Sequence, residues 1–163
     1  MPLDIGSQVK DFSVPKADGK EVATFKLSEN LGKDAMVLAF FPLAFTGVCT
    51  TEMCTFRDQM AGFNDVHARV YGVSVDSPFT QNQFIQKEKL NFPLLSDFNR
   101  ELVDAFGVKR TQPIGPAPGL LGVANRSVFV VGKDGAVKYR WYSENPKDLP
   151  PFDEVKAALG KLN

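Results

Sequence analysis

Cys49 and Cys54 stand five residues apart in a chain of 163 residues that holds no other cysteine. The stretch that carries them, FFPLAFTGVCTTEMC (40–54), follows an apolar run, AMVLAFF, that suits a central strand covered on both faces. Pro42 closes the run, a turn of small residues follows, and Cys49 falls in the first turn of a helix-compatible segment. The first N–H groups of a helix have no internal partner, and that end of the helix dipole is positive. A cysteine so placed is favoured as the thiolate, its nucleophilic form. Converting an ordinary thiol fully to thiolate at neutral pH gains at most about thirtyfold in rate. Efficient chemistry at this sulfur therefore needs groups that position a substrate and stabilise its leaving group.

The neighbouring residues supply candidates. Thr46, three residues before Cys49, offers a hydroxyl that can accept from a helix N–H and donate to an oxygen bound above the sulfur. Pro42 fixes the turn and shields the sulfur from bulk water. Gly47 is expected to give the turn a conformation that brings N–H groups to the site. Glu52 lies on the same first turn, where a bare carboxylate opposes a thiolate unless a cation intervenes. Arg126, which opens the apolar stretch SVFVV, is the cation expected there.

Other elements must hold these residues together. Residues 11–26 read as a hairpin turning at Asp18-Gly19. A helix is expected over 48–62, with Met53, Phe56, Met60 and Phe63 on its inner face. VYGVSV (70–75) is a second buried strand, and Ser77-Pro78 starts a helix over 78–89. FPLLSD is short and extended, and 99–106 is a short helix ended by Gly107. Residues 111–125, TQPIGPAPGLLGVAN, form a loop too long for a mere connection, of the kind that is functional or lies at an interface. SVFVV, GKDG and AVKYRW make a second hairpin, and PFDEVKAALGKLN a last helix. This order predicts an α/β thioredoxin-like fold, with a central mixed sheet flanked by helices and an added N-terminal hairpin. The length fits a single domain, 1–163.

Charge narrows the function. Nineteen basic and nineteen acidic residues cancel, which removes the electrostatic case for nucleic acid or an anionic membrane. No apolar run reaches the roughly 18 residues of a membrane span, and MPLDIGSQVKDF does not read as a secretory signal. A cytoplasmic chain is expected, where two cysteines are reactive or reduced rather than a structural disulfide.

FFPLAFTGVC contains the Pro-x-x-x-Thr-x-x-Cys pattern of peroxiredoxins, spelled by Pro42, Thr46 and Cys49. KDFSVPKADGK, TEMCTFRD, YGVSVDSP, NFPLLSD, FGV and NRSVFVVGKDG also resemble peroxiredoxin segments. The variants FFPLAFTGVC and FPLLSDF look most like the AhpE-like subgroup. The resemblance implies a thiol-dependent peroxidase acting on hydrogen peroxide and organic hydroperoxides. Cys49 would be the peroxidatic nucleophile, passing through a sulfenic acid. Thr46 and Arg126 would hold the peroxide oxygens, Pro42 would shield the site, and no metal, flavin or haem is implied. A thioredoxin, a glutaredoxin or a low-molecular-weight thiol would return the sulfur to its starting state. The resemblance also implies a homodimer packed through loops around the site, near 111–125 and Phe45. Cys54 departs from the one-cysteine AhpE-like pattern and resembles the resolving cysteine of the Bcp/PrxQ subgroup, whose members point to a monomer. Residues five apart in an intact helix lie about 140° apart around its axis, so a Cys49–Cys54 disulfide requires the helix to unwind.

Plainer readings stand beside these. Cys49 can be an inert buried thiol, and Cys54 a core residue on the helix's apolar face beside Met53. Glu52 can simply answer the helix dipole, and Arg126 can be a strand-end ion-pair partner. His67 lies alone on the surface with no second metal ligand spaced to it, Trp141 is packing, and Arg57-Asp58 is a solvated helix face. A thioredoxin-type thiol–disulfide exchanger would want Cys-x-x-Cys, where this chain has four residues between its cysteines. A redox sensor or holdase would not need Thr46 and Arg126.

Overall fold

Ala35–Phe40 forms the middle strand, β3, because every side chain in it can be buried, and all six are. The computed structural model describes residues 1–162. Among them, β1 (Ser13–Ala17), β2 (Val22–Lys26), β3, β4 (Ala68–Ser74), β5 (Leu94–Ser96), β6 (Arg126–Val131) and β7 (Val137–Ser143) form one mixed sheet, in the order β2-β1-β5-β4-β3-β6-β7. The helices are α1 (Leu27–Asn30), α2 (Gly47–Asp58), α3 (Met60–Asp65), α4 (Pro78–Glu88), α5 (Glu101–Ala105) and α6 (Phe152–Gly160).

Alternate residues of a strand leave by opposite faces, and β3 feeds two cores in this way. Val37, Ala39 and then Phe41 enter one core with Met53, Phe56, Phe63 and Phe84. Met36, Leu38 and Phe40 enter the other with Phe25, Phe106 and Phe129. The many phenylalanines are spent here: the rings of Phe40, Phe106 and Phe129 lie 5.0 to 5.9 Å apart, centroid to centroid. The β3 and β4 strands are parallel, so the chain must cross over between them, and α2 and α3 make that crossing. Gly72 in β4 lets them pack close. A Cβ there would meet Leu94 at 2.5 Å and the Met53 sulfur at 3.0 Å.

The expected hairpins 11–26 and 126–143 are present as β1–β2 and β6–β7. The single helix expected over 48–62 breaks at Gln59, whose N–H is shared among the carbonyls of Thr55, Phe56 and Arg57. The Arg57 carbonyl at this break also accepts from Asn91 Nδ2 at 3.2 Å in the segment after α4. The four-residue α1 carries too short a pattern to be read from sequence. The long loop is organised: Ile114 and Leu120 exchange backbone hydrogen bonds of 3.0 and 2.8 Å, closing a small turn over the ends of β3 and β6. No helix of the described residues is long and apolar enough to cross a membrane.

Candidate active site

Strand register brings together residues that are distant in the chain. The antiparallel partner of β3 is β6, and Phe40 at the end of β3 pairs with Ser127. Arg126, one residue earlier on β6, therefore stands beside the turn where the chain leaves β3 for α2. Cys49 is the third residue of α2, and its side chain faces this strand end, leaving it 2% exposed. The first α-helical bond runs from the Thr50 N–H to the Thr46 carbonyl, at 2.9 Å. The N–H groups of Gly47, Val48 and Cys49 precede it and make no bond within the helix.

The Arg126 guanidinium reaches three groups. Nη2 donates to Cys49 Sγ at 3.3 Å and to the Pro146 carbonyl at 2.9 Å, while Nη1 forms an ion pair with Glu52 Oε2. Both charged side chains are buried. Glu52 is one turn beyond Cys49 on α2, so a single cation serves the thiol and the carboxylate, as their spacing predicted. Arg126 Nε and Glu52 Oε1 are buried without a partner among the described residues. The arginine thus keeps an uncommitted donor in a low-dielectric site, where a charge-assisted bond is strong.

Burial pushes the Glu52 carboxyl up from its ordinary 4.5 to about 7, with Arg126 opposing the rise. The folded chain therefore holds a proton on Glu52 at pH values where the unfolded chain has lost it. Stability contributed by this proton is full below about pH 4.5 and declines as pH rises to about 7. Glu52→Gln removes the titrating group, so the variant should lose this slope. The wild type is expected to lose on the order of 3 kcal/mol across the window relative to the variant. Denaturant titrations at several pH values measure it, and parallel wild-type and variant profiles would contradict the assignment.

Two details of the turn differ from expectation. Thr46 occupies the helix N-cap position, but its side chain makes no cap bond. Its hydroxyl instead donates to the Leu43 carbonyl at 2.7 Å. The proton being committed, Thr46 Oγ presents lone pairs, so it can accept from a bound O–H rather than donate to it. The strained residue of the turn is Phe45, at φ 63°, and not Gly47, whose φ is not positive. Pro42 is buried and lines the site as expected.

Sequence reasoning missed two supports. Asp76 Oδ2 accepts from the Ala44 N–H at 2.8 Å and from Ser74 Oγ at 2.7 Å, tying the turn to the end of β4. The parallel pairing of β3 and β4 was the available signal, since it places both strand ends on one edge. Pro146, which receives Arg126, lies in a polar loop with no periodicity to mark it. Cys54 is also not where a core reading puts it. It is half-buried on the flank of α2, and its thiol donates to Glu88 Oε2 at 3.5 Å. Arg57, read as solvated, reaches the Glu88 carbonyl with Nη1. His67 is exposed and Trp141 packs against the core. Both cysteines are free.

A cavity of about 380 Å³ opens above Cys49 and Arg126. Pro42, Leu43, Thr46 and Val48 form one wall, and Ile114, Pro116 and Leu120 of the long loop form the other. The arrangement presents a buried sulfur, a cation in contact with it, free helix N–H groups and an apolar approach. Such a site suits attack by sulfur on a small electrophile whose leaving atom gains negative charge.

The family described as AhpC/TSA matches residues 5–140. Peroxiredoxin Bcp of Bacillus subtilis is 37% identical over 149 residues, covering 91% of this chain and 90% of its own length. The crystal structure of peroxidoxin BcpB from Mycobacterium tuberculosis is 34% identical with a TM-score of 0.83, covering 99% of each chain. The chloroplastic 2-Cys peroxiredoxin BAS1 of Spinacia oleracea is 33% identical over 146 residues, which is 85% of this chain and 52% of that protein. The chain thus spans about half the length of such curated relatives. The agreement extends over the sheet, the crossing helices and the strand end that carries Arg126. The chain belongs to the AhpC/TSA family, as a Bcp-like peroxiredoxin with a thioredoxin-like fold.

Proposed function

We propose that this chain is a thiol-dependent peroxidase that reduces hydrogen peroxide and organic hydroperoxides at Cys49. The carrying observation is the 3.3 Å contact between Arg126 Nη2 and Cys49 Sγ inside a cavity that also holds Thr46. The Cys49 thiolate attacks the nearer peroxide oxygen, the S–O bond forms as the O–O bond breaks, and the sulfur becomes a sulfenic acid. The departing oxygen takes up the proton that the thiol released and leaves as water or an alcohol. Thr46 Oγ accepts from the attacked O–H and orients it. Arg126 and the N–H groups at 48 and 49 meet the charge developing on the departing oxygen. Pro42 keeps water from the sulfur. Glu52 fixes the guanidinium and transfers no proton to or from the peroxide.

A thiol reductant of thioredoxin, glutaredoxin or low-molecular-weight type completes the cycle, with Cys54 resolving the sulfenic acid through an intramolecular disulfide. The free N-terminal turn of α2 and its β-branched Thr50, Thr51 and Thr55 lower the cost of the unwinding this needs. The test is peptide mapping under non-reducing conditions after one equivalent of hydrogen peroxide. A linked 49–54 peptide is expected in wild type. Rapid loss of one thiol with no linked peptide would leave the peroxidase standing and remove the resolving role. No thiol loss at sub-equivalent peroxide would remove both.

The same reading takes residues 1–163 as one domain, places the chain in the cytoplasm and makes it a homodimer. Exposed Phe45, Leu120 and Leu121 support the dimer, because they leave apolar surface around the cavity mouth. Light scattering at micromolar concentration is expected to give twice the chain mass, and 17.9 kDa would overturn the dimer.

A further inference from the structure

We propose that the last turn of α4 latches the cysteine-bearing helix shut, and that Glu88 is the positioning residue that holds Cys54 away from Cys49. The inference rests on the reading of Cys54 as the resolving cysteine. That reading requires α2 to open, and the structure shows what an opening must break. The end of α4 grips the segment at both ends. At its start, the Phe45 ring packs edge-on against Phe84 with centroids 5.2 Å apart, and Lys87 Nζ stands 5.7 Å from the same ring. Further along, Cys54 Sγ donates to Glu88 Oε2, Arg57 Nη1 donates to the Glu88 carbonyl, and Asn91 Nδ2 holds the Arg57 carbonyl. Phe45 sits at φ 63°, a conformation disfavoured for an aromatic residue, and its packing on Phe84 holds it there. Undoing that contact lets the turn relax, which makes the closed state the one under tension.

Glu88 forms no ion pair among the described residues, although Arg57 is close enough to bind its backbone carbonyl. Its carboxylate faces the thiol instead. Burial raises the Cys54 thiol above its ordinary value, and Glu88 adds to the rise while Arg57 opposes it. In the closed helix Cys54 is therefore kept protonated and turned away, which leaves Cys49 free to meet peroxide. Opening releases the S–H from Glu88. Cys54 then loses its proton, its thiolate attacks the Cys49 sulfur, and the S–S bond forms as the S–O bond breaks. The departing hydroxide takes up a proton to give water, the Cys54 sulfur being oxidised and the Cys49 sulfur reduced. The strength of the latch sets how long the sulfenic acid persists, and so how often a second peroxide converts it to sulfinic acid.

The test compares wild type with Glu88→Ala by rapid quench after one equivalent of hydrogen peroxide. The ratio of the disulfide-forming rate to the sulfenic-acid-forming rate is expected to rise about three- to tenfold, the worth of one ordinary hydrogen bond, because the thiol is a weak donor even to a carboxylate. Sulfinic acid formed in excess peroxide should fall in step. A ratio that is unchanged or lower in the variant overturns the latch. A second measurement does not depend on resolution. In a Cys49→Ser background, Glu88→Ala should speed alkylation of Cys54 by iodoacetamide about threefold or more, with Glu88→Gln between. Absence of a disulfide in both proteins would defeat the resolving role alone. The alkylation rates then decide the latch, and equal rates with and without Glu88 overturn it.

Discussion

Cys49→Ser is expected to abolish peroxide reduction while the chain stays folded. Serine keeps the shape of the side chain but replaces the thiol by a hydroxyl, a far weaker nucleophile. No other thiol lines the cavity among the described residues, and Cys54 is held on the flank of α2 by Glu88. Removal of a catalytic nucleophile costs about 10⁴-fold or more in rate. The new hydroxyl remains within reach of Arg126, so the buried guanidinium keeps its Glu52 and Pro146 partners. Melting should therefore shift by only a few degrees, about 1 kcal/mol of stability. Stopped-flow consumption of hydrogen peroxide, read with a thermal melt, checks both halves. A variant that is folded and consumes peroxide within tenfold of wild type would place the chemistry elsewhere.

What could be read from the chain, and what could not, follows from how local each signal is. AMVLAFF announced a central strand because it is continuous and apolar, and Asp18-Gly19 announced its hairpin because few dipeptides tolerate that turn. Cys49 at a helix start, Thr46 before it and Pro42 closing the strand were legible together, since they lie within eight residues of one another. Arg126 was legible as the cation that Glu52 needs, and its role toward a bound peroxide only through resemblance. Its place beside the sulfur depends on the Phe40–Ser127 register, a long-range property. The charge partner of Glu52 was anticipated, but its complete burial was not, because a carboxylate in a helix ordinarily faces water. The direction of the Thr46 hydroxyl depends on one carbonyl, that of Leu43, whose position is set by the bend at Phe45. Neither Asp76 nor Pro146 had a local pattern to mark it. The environment of Cys54 inverted its plainer reading: a neighbour of Met53 in sequence is not its neighbour on the helix, since adjacent residues point about 100° apart.

Arg126→Ala carries the second large effect and separates two roles of the guanidinium. If it only favoured the thiolate, its loss would cost no more than the change in thiolate fraction, at most about thirtyfold. Because Nη2 touches the sulfur at 3.3 Å, an oxygen joined to that sulfur in the transition state also lies within its reach. Removing a donor aimed at developing charge costs about 10²- to 10³-fold by itself. The expected total loss for Arg126→Ala therefore exceeds what the thiolate fraction, measured by ultraviolet absorbance, explains. Stability complicates the single variant. It strands Glu52 in the core, and breaking a buried pair on one side costs about 3–5 kcal/mol. Part of that is relieved by protonation, since burial already holds Glu52 near 7. The double variant Glu52→Gln/Arg126→Ala removes the stranded charge. It should regain most of the lost stability, read by denaturant titration, and none of the lost rate. Were the double variant to recover its rate with its stability, Arg126 would be a structural partner of Glu52. Were the rate loss matched by the thiolate fraction alone, Arg126 would tune the sulfur and leave the departing oxygen to the helix N–H groups.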